Sequence, residues 1–172
     1  MAYSILNSYE EDLQAIRFLY DSASAYQRIK FPENEWPLFS DELILTDIQE
    51  KRHWKLVKEG VIVCSWVITF SDELIWEELN VDPAIYIHRI ATHPQHRGAN
   101  YVGIITEWAK EYAREQGKEY IRLDTCGKND RLIQHYQVNG FELLGIWSIN
   151  DSSQLPSHYR NPDVCFFQMR LL

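Results

Sequence analysis

Residues 93–103 read His-Pro-Gln-His-Arg-Gly-Ala-Asn-Tyr-Val-Gly, and their two neighbours decide what the stretch can be. Ahead of it runs an apolar segment, Ala84-Ile-Tyr-Ile-His-Arg-Ile-Ala-Thr92, which reads as a buried strand. Behind it Tyr101, Ile104, Ile105, Trp108, Ala109 and Tyr112 recur at helical spacing towards Gln116, and Gly117 follows as a C-terminal cap. A strand that turns tightly into a helix leaves main-chain N–H groups without partners at the turn. Those donors, with the positive end of the helix dipole, suit a phosphate.

The charge pattern points the same way. No acidic residue occurs between Asp82 and Glu107, yet this window holds Arg89, Arg97, His88, His93 and His96. The chain as a whole carries a formal charge of −8, so the basic window stands against its background. That acidic balance argues against general nucleic-acid binding.

At 172 residues the chain is long enough for one domain with a real core and short for two. Its 45% apolar content is that of a globular protein. No apolar run approaches the ~20 residues that span a bilayer. The start lacks the basic flank and apolar stretch of a secretion signal, so the expectation is a cytoplasmic protein with no membrane partner. Cys64, Cys126 and Cys165 are odd in number and far apart, which indicates neither a disulfide framework nor a metal site.

Elsewhere, Glu10–Ser24 carries the helical stripe Leu13, Ile16, Leu19, Tyr20 and Ala23. Phe31-Pro to Trp36-Pro is a loop, and 41–51 a second helix. Segments 54–58 and 61–70 read as strands of a hairpin turning at Glu59-Gly60. Ser71–Pro83 is acidic and ambiguous. Tyr120–Thr125 is a strand, Asn129 or Asp130 caps a helix through Val138, and 141–149 and 164–171 are closing strands. Early helices followed by alternating strands and helices predict an α/β fold on a mixed sheet.

Three segments in order resemble the GNAT N-acetyltransferase superfamily. Ile-Ala-Thr-His-Pro-Gln-His-Arg-Gly (90–98) is similar to its strand and Arg-Gly-x-Gly-x-Gly/Ala pyrophosphate loop. Leu-Asp-Thr-Cys-Gly-Lys-Asn (123–129) resembles its next strand, and Leu-Ile-Gln-His-Tyr-Gln-Val-Asn-Gly-Phe (132–141) its helix ending in Tyr-x-x-x-Gly-Phe. The resemblance implies a single domain over residues 1–172, with a splayed central sheet flanked by helices and a cofactor half at about 84–144.

It also implies acetyl-CoA as co-substrate. Main-chain groups of Ile90, Ala91 and Thr92 would pair with the pantetheine arm. Amides of Arg97, Gly98, Ala99, Asn100, Tyr101, Val102 and Gly103 would take the pyrophosphate. Asn129 would reach the arm, cap the following helix, or both. Two positions depart from the pattern. Asn100 stands where the second glycine is expected, and Val102 where a small residue is. Asparagine tolerates the left-handed backbone region and brings an amide donor; Val102 has no such excuse.

For the chemistry, the resemblance assigns the carbonyl-polarising N–H to Ile90 or Ala91 and thiolate protonation to Tyr136. A phenol with a reference pKa of ~10 suits that donation; the other reading of Tyr136 is a core residue beside Leu132 and Ile133. His88 falls where many members carry a glutamate, so it is either the general base or a structural histidine. Asp124 reads as structural. The expected partner is a small-molecule or peptide amine. The acidic segment around Trp76 is either a border of its pocket or a solvated loop, and Trp36, Trp147, His158 and Tyr159 lie in loops or strand ends of the kind that line the acceptor side in related folds. A homodimer is left open. The alternative function is a non-catalytic acyl-CoA-binding or partner-binding module with a degenerate loop. Dinucleotide binding through Gly98-x-x-x-x-Gly103 lacks a first-strand fingerprint.

Overall fold

The computed structural model describes residues 2–172. Seven strands, β1 (Tyr3–Asn7), β2 (His53–Lys58), β3 (Val61–Thr69), β4 (Ala84–Thr92), β5 (Tyr120–Cys126), β6 (Glu142–Trp147) and β7 (Val164–Arg170), take the order β1-β2-β3-β4-β5-β7-β6. Helices α1 (Leu13–Lys30), α2 (Asp41–Gln49), α3 (Glu73–Trp76), α4 (Tyr101–Glu115) and α5 (Asp130–Val138) complete the mixed α/β fold. The chain forms two compact units. One runs to Ile68 and resumes at His88–Tyr101; the other comprises Thr69–Ile87 and Val102–Leu172. No described helix is long and apolar enough to cross a membrane.

In the first unit, α1 buries Ile16, Leu19, Tyr20 and Ser24, a stripe at i, i+3, i+4 and i+8. The helix runs six residues past the expected Ser24, because nothing from Ala25 to Lys30 breaks it before Pro32. Its stripe meets Ile44 and Ile48 of α2 and Ala91 of β4 in one core. Each such aliphatic side chain contributes about 1.5–3 kcal/mol by leaving water. Ser40 caps α2 by accepting from the Leu43 amide at 3.2 Å. The β2–β3 hairpin closes at the Lys58↔Val61 pair, and both turn residues, Glu59 (φ 51°) and Gly60 (φ 78°), are left-handed, as the two-residue turn demands. Strand β1, unanticipated from sequence, pairs with β2 from Tyr3↔Lys58 to Asn7↔Trp54.

In the second unit, β4 lies parallel to β5 from Ala84↔Tyr120 to Tyr86↔Arg122, and β5 and β6 both run antiparallel to β7. One face holds a core of Ile75, Trp76, Ala84, Tyr86, Ile149, Val164 and Phe166. On α4, Ile105, Ala109 and Ala113 are buried, and Gly117 (φ 67°) follows the helix as expected. The ambiguous segment 71–83 is α3 followed by a 3-10 turn, Glu77–Val81. Its order comes from Arg122, a buried guanidinium that donates to the Leu79 carbonyl (2.7 Å), Asp82 (2.5 Å), Gln168 (2.8 Å) and the Tyr86 hydroxyl (3.2 Å).

Candidate active site

The first unit carries the later residues of β4 and the turn beyond them. His88 is half-buried. Burial, then the charge of Arg89, pushes its imidazole down to about 4, so the ring is neutral at pH 7. Arg89 lies in the left-handed region at φ 51° although it is inside a strand. Its Nη2 donates to Asp47 Oδ2 of α2 at 2.5 Å, and its guanidinium lies 5.4 Å from the Phe39 ring centre. Ile90 and Thr92 are half-buried and Ala91 fully buried; the Thr92 hydroxyl lies 3.6 Å from Cys64 Sγ. The His93 amide donates to the Val63 carbonyl at 2.9 Å, anchoring the strand end.

The turn itself is built by backbone angle. Pro94–His96 forms one 3-10 turn, with the His93 ring accepting from the Gln95 amide at 3.2 Å. Arg97 sends its guanidinium back to α1, 4.3 Å from the Tyr26 ring centre and 3.4 Å from the Ser22 carbonyl. Gly98 (φ 83°) and Asn100 (φ 51°) are both left-handed and flank Ala99. Such alternation turns successive N–H groups to one side, the concave arrangement that binds anions. A Cβ added at Gly98 would meet nothing within 4 Å, so the approach to that main chain is open. Asn100 therefore adopts the angle that the glycine of the family pattern would supply. Tyr101 is buried, and its hydroxyl lacks a partner among the described residues.

In the second unit, Val102 and Gly103 are half-buried in the first turn of α4, where the Thr106 hydroxyl donates to the Val102 carbonyl at 2.7 Å. Asn129 is the N-cap of α5, its Oδ1 accepting from the Leu132 amide at 3.2 Å. Tyr136, on the buried face of α5, is 7% exposed and packs on Phe167 (5.0 Å between ring centres) and Phe141 (5.9 Å). The ring is a core ring.

Asp124, read from sequence as structural, has a chemical signature that was not foreseen. It stands opposite Phe166 in the β5–β7 register, and Trp76 and Trp147 both pack on Phe166, at 5.1 and 4.0 Å. Burial raises its carboxyl to about 6, although the Tyr159 hydroxyl donates to it and favours the charged form. A carboxylate oxygen of Asp72 lies within 4.8 Å of one of Asp124. Burial, then the Asp124 charge, lifts Asp72 to about 8. Two carboxyls titrating near neutrality are groups suited to proton transfer. His158 is likewise pushed down to about 4 by burial, and its Nδ1 has no partner among the described residues. The acidic segment around Trp76 was the one available sequence signal for Asp72. Cys64 and Cys165 are fully buried, and burial raises the Cys126 thiol, which removes thiolate character from all three.

The model of the acetyltransferase (GNAT) family matches residues 13–141. The uncharacterized N-acetyltransferase YesJ of Bacillus subtilis (strain 168) is 28% identical over 74 residues, which are 43% of this chain. The match spans 41% of that relative's own length. Among solved structures, a GNAT-family acetyltransferase from Listeria monocytogenes 4b F2365 superposes with a TM-score of 0.76 at 21% identity, covering 98% of this chain and 95% of that one. YncA from Salmonella typhimurium, solved with its cofactor acetyl-CoA, gives 0.72 at 16% identity, covering 100% and 95%. At these identities the structural likenesses speak for the fold.

Proposed function

This chain belongs to the acetyltransferase (GNAT) family, and from that premise we propose that it transfers the acetyl group of acetyl-CoA to the amine of a small molecule or a peptide. The observation that carries this reading is the pair of left-handed residues, Gly98 and Asn100, in the turn ahead of α4. They leave a main-chain cradle with an open approach, which fits a diphosphate. The amides from Arg97 through Gly103 would hold that group. The main chain of Ile90, Ala91 and Thr92 would hold the pantetheine arm in the manner of an added strand, with Asn129 reaching it from the α5 cap.

Acetyl-CoA supplies an activated thioester. The Ile90 or Ala91 amide donates a hydrogen bond to its carbonyl oxygen, stabilising negative charge as it develops there. The acceptor amine must lose a proton to react. His88 is neutral at pH 7 but, at about 4, a weak acceptor. Asp124, at about 6, is charged at pH 7 and is the better matched of the two. Tyr136 donates its phenolic proton to the departing sulfur. No cysteine takes part, so transfer is direct within a ternary complex.

Thermal melting with and without acetyl-CoA tests the cradle, since a ligand at 100 times its Kd adds about 2.7 kcal/mol. A raised Tm, with release of free thiol in the presence of an amine from a panel, is the expected result. An unchanged Tm would instead favour a binding module whose loop, altered at Asn100 and Val102, no longer holds the nucleotide.

A further inference from the structure

Five non-glycine residues described in the structure have left-handed backbone angles: Lys51, Glu59, Glu77, Arg89 and Asn100. Four sit at turns or helix ends, where the chain reverses; Arg89 alone lies inside a strand. A residue bearing a Cβ disfavours that region, and within a strand nothing local calls for it. Such a residue bends the strand and re-aims the amides that follow. Strained positions of this kind persist only where the surroundings hold them, and they gather at functional sites.

The surroundings of Arg89 are specific. Its Nη2 donates to Asp47 Oδ2 at 2.5 Å, while Asp47 Oδ1 accepts from Arg52 Nε at 3.1 Å and Nη2 at 2.8 Å. Both carboxylate oxygens are therefore engaged, and the Asp47 side chain is only 4% exposed. Asp47 is fixed in turn by α2, whose flanking residues Ile44 and Ile48 are buried in the core of the same unit. A planar guanidinium gripped by a carboxylate that cannot rotate holds its own backbone in place.

We propose that Asp47 is a positioning residue: through its ion pair with Arg89 it holds the left-handed bend in β4 and thereby sets the direction of the Ile90, Ala91 and Thr92 amides. The proposal rests on the reading of those amides as the receiving groups for acetyl-CoA. Asp47 touches no substrate; it acts through Arg89.

Arg89→Ala and Arg89→Gly remove the same guanidinium and leave Asp47 paired with Arg52, but only glycine occupies the left-handed region freely. In Arg89→Ala the strand relaxes, and binding must first restore the bend, which lowers apparent affinity by the fraction of chains already bent. The expected result, by calorimetric titration with acetyl-CoA, is about tenfold weaker binding for Arg89→Ala and near-parental binding for Arg89→Gly. Asp47→Asn should also weaken binding, and the double variant Asp47→Asn/Arg89→Gly should recover it. Equal losses in the alanine and glycine variants, or no loss in either, would overturn the proposal. Should Asp47→Asn fail to fold, the two Arg89 variants carry the test alone. A parental protein that does not bind acetyl-CoA refutes the functional reading instead. The positioning claim then stands or falls on amide hydrogen exchange, which must be faster at Ile90–Thr92 in Arg89→Ala than in Arg89→Gly.

Discussion

The Tyr159 hydroxyl donates to the Asp124 carboxylate, yet burial still holds that carboxyl at about 6, above its ordinary range. The hydrogen bond and the burial therefore act in opposite directions, and burial wins. If Asp124 takes the amine proton, kcat/KM rises through pH 6 as the carboxylate forms, and Asp124→Asn removes that limb. Tyr159→Phe deletes a donor to the charged form, so the limb moves to higher pH. A limb that survives in Asp124→Asn and disappears in His88→Gln assigns the step to His88.

Tyr136→Phe keeps the ring between Phe141 and Phe167 and deletes only the hydroxyl. Turnover should fall about 10²-fold, the lower end for loss of a general acid, while acetyl-CoA affinity and Tm stay close to those of the parent. Steady-state kinetics beside a binding titration make the distinction. Unchanged turnover removes Tyr136 from the proton path.

Gly98→Ala introduces a Cβ that meets no neighbour, so its whole effect comes from the backbone angle of 83°. A cost of about 1–2 kcal/mol is expected, read as a lower Tm together with weaker acetyl-CoA binding. Loss of stability with full binding would show that the turn tolerates another angle when loaded.

His53 is buried between Ser8 Oγ (2.7 Å from Nδ1) and the Tyr20 hydroxyl (2.9 Å from Nε2), and burial, then Arg89, pushes it from 6.5 down to about 4. The folded protein thus resists protonation that the unfolded chain accepts. Stability from this group is complete above pH 6.5 and is lost as pH falls towards 4, by on the order of 3 kcal/mol. Urea unfolding at a series of pH values should show the slope, and His53→Gln should make it shallower by the His53 share, His88 and His158 being pushed down in the same direction.

What the sequence made legible was what short-range chemistry controls. Gly98 and Asn100 are residue types that tolerate the left-handed region and both adopt it, the spacing from Tyr101 to Tyr112 shows one helical face, and Asn129 caps the helix that follows it. Strand β1 was missed because five residues, mostly exposed, hold too little alternation to read. The order of 77–82 depends on Arg122, some forty positions later, and the bend at Arg89 depends on Asp47, as far before it. Nor does anything beside Asp124 announce its raised carboxyl, since its cross-strand neighbour Phe166 and its hydrogen-bond partner Tyr159 lie some forty positions away in the chain. Local rules reach the turn; the tuning of the side chains comes from distant partners.

Arg122 has a further consequence, for how such chains can diverge. One cation counts out the residues from the Leu79 carbonyl to the Asp82 carboxylate and ties that count to three strands at once. Adding or deleting a residue between 79 and 82 would strand a buried guanidinium, a change of several kcal/mol. Length variation among descendants should therefore collect outside this short span, leaving a four-residue ruler of constant size in an otherwise changeable neighbourhood.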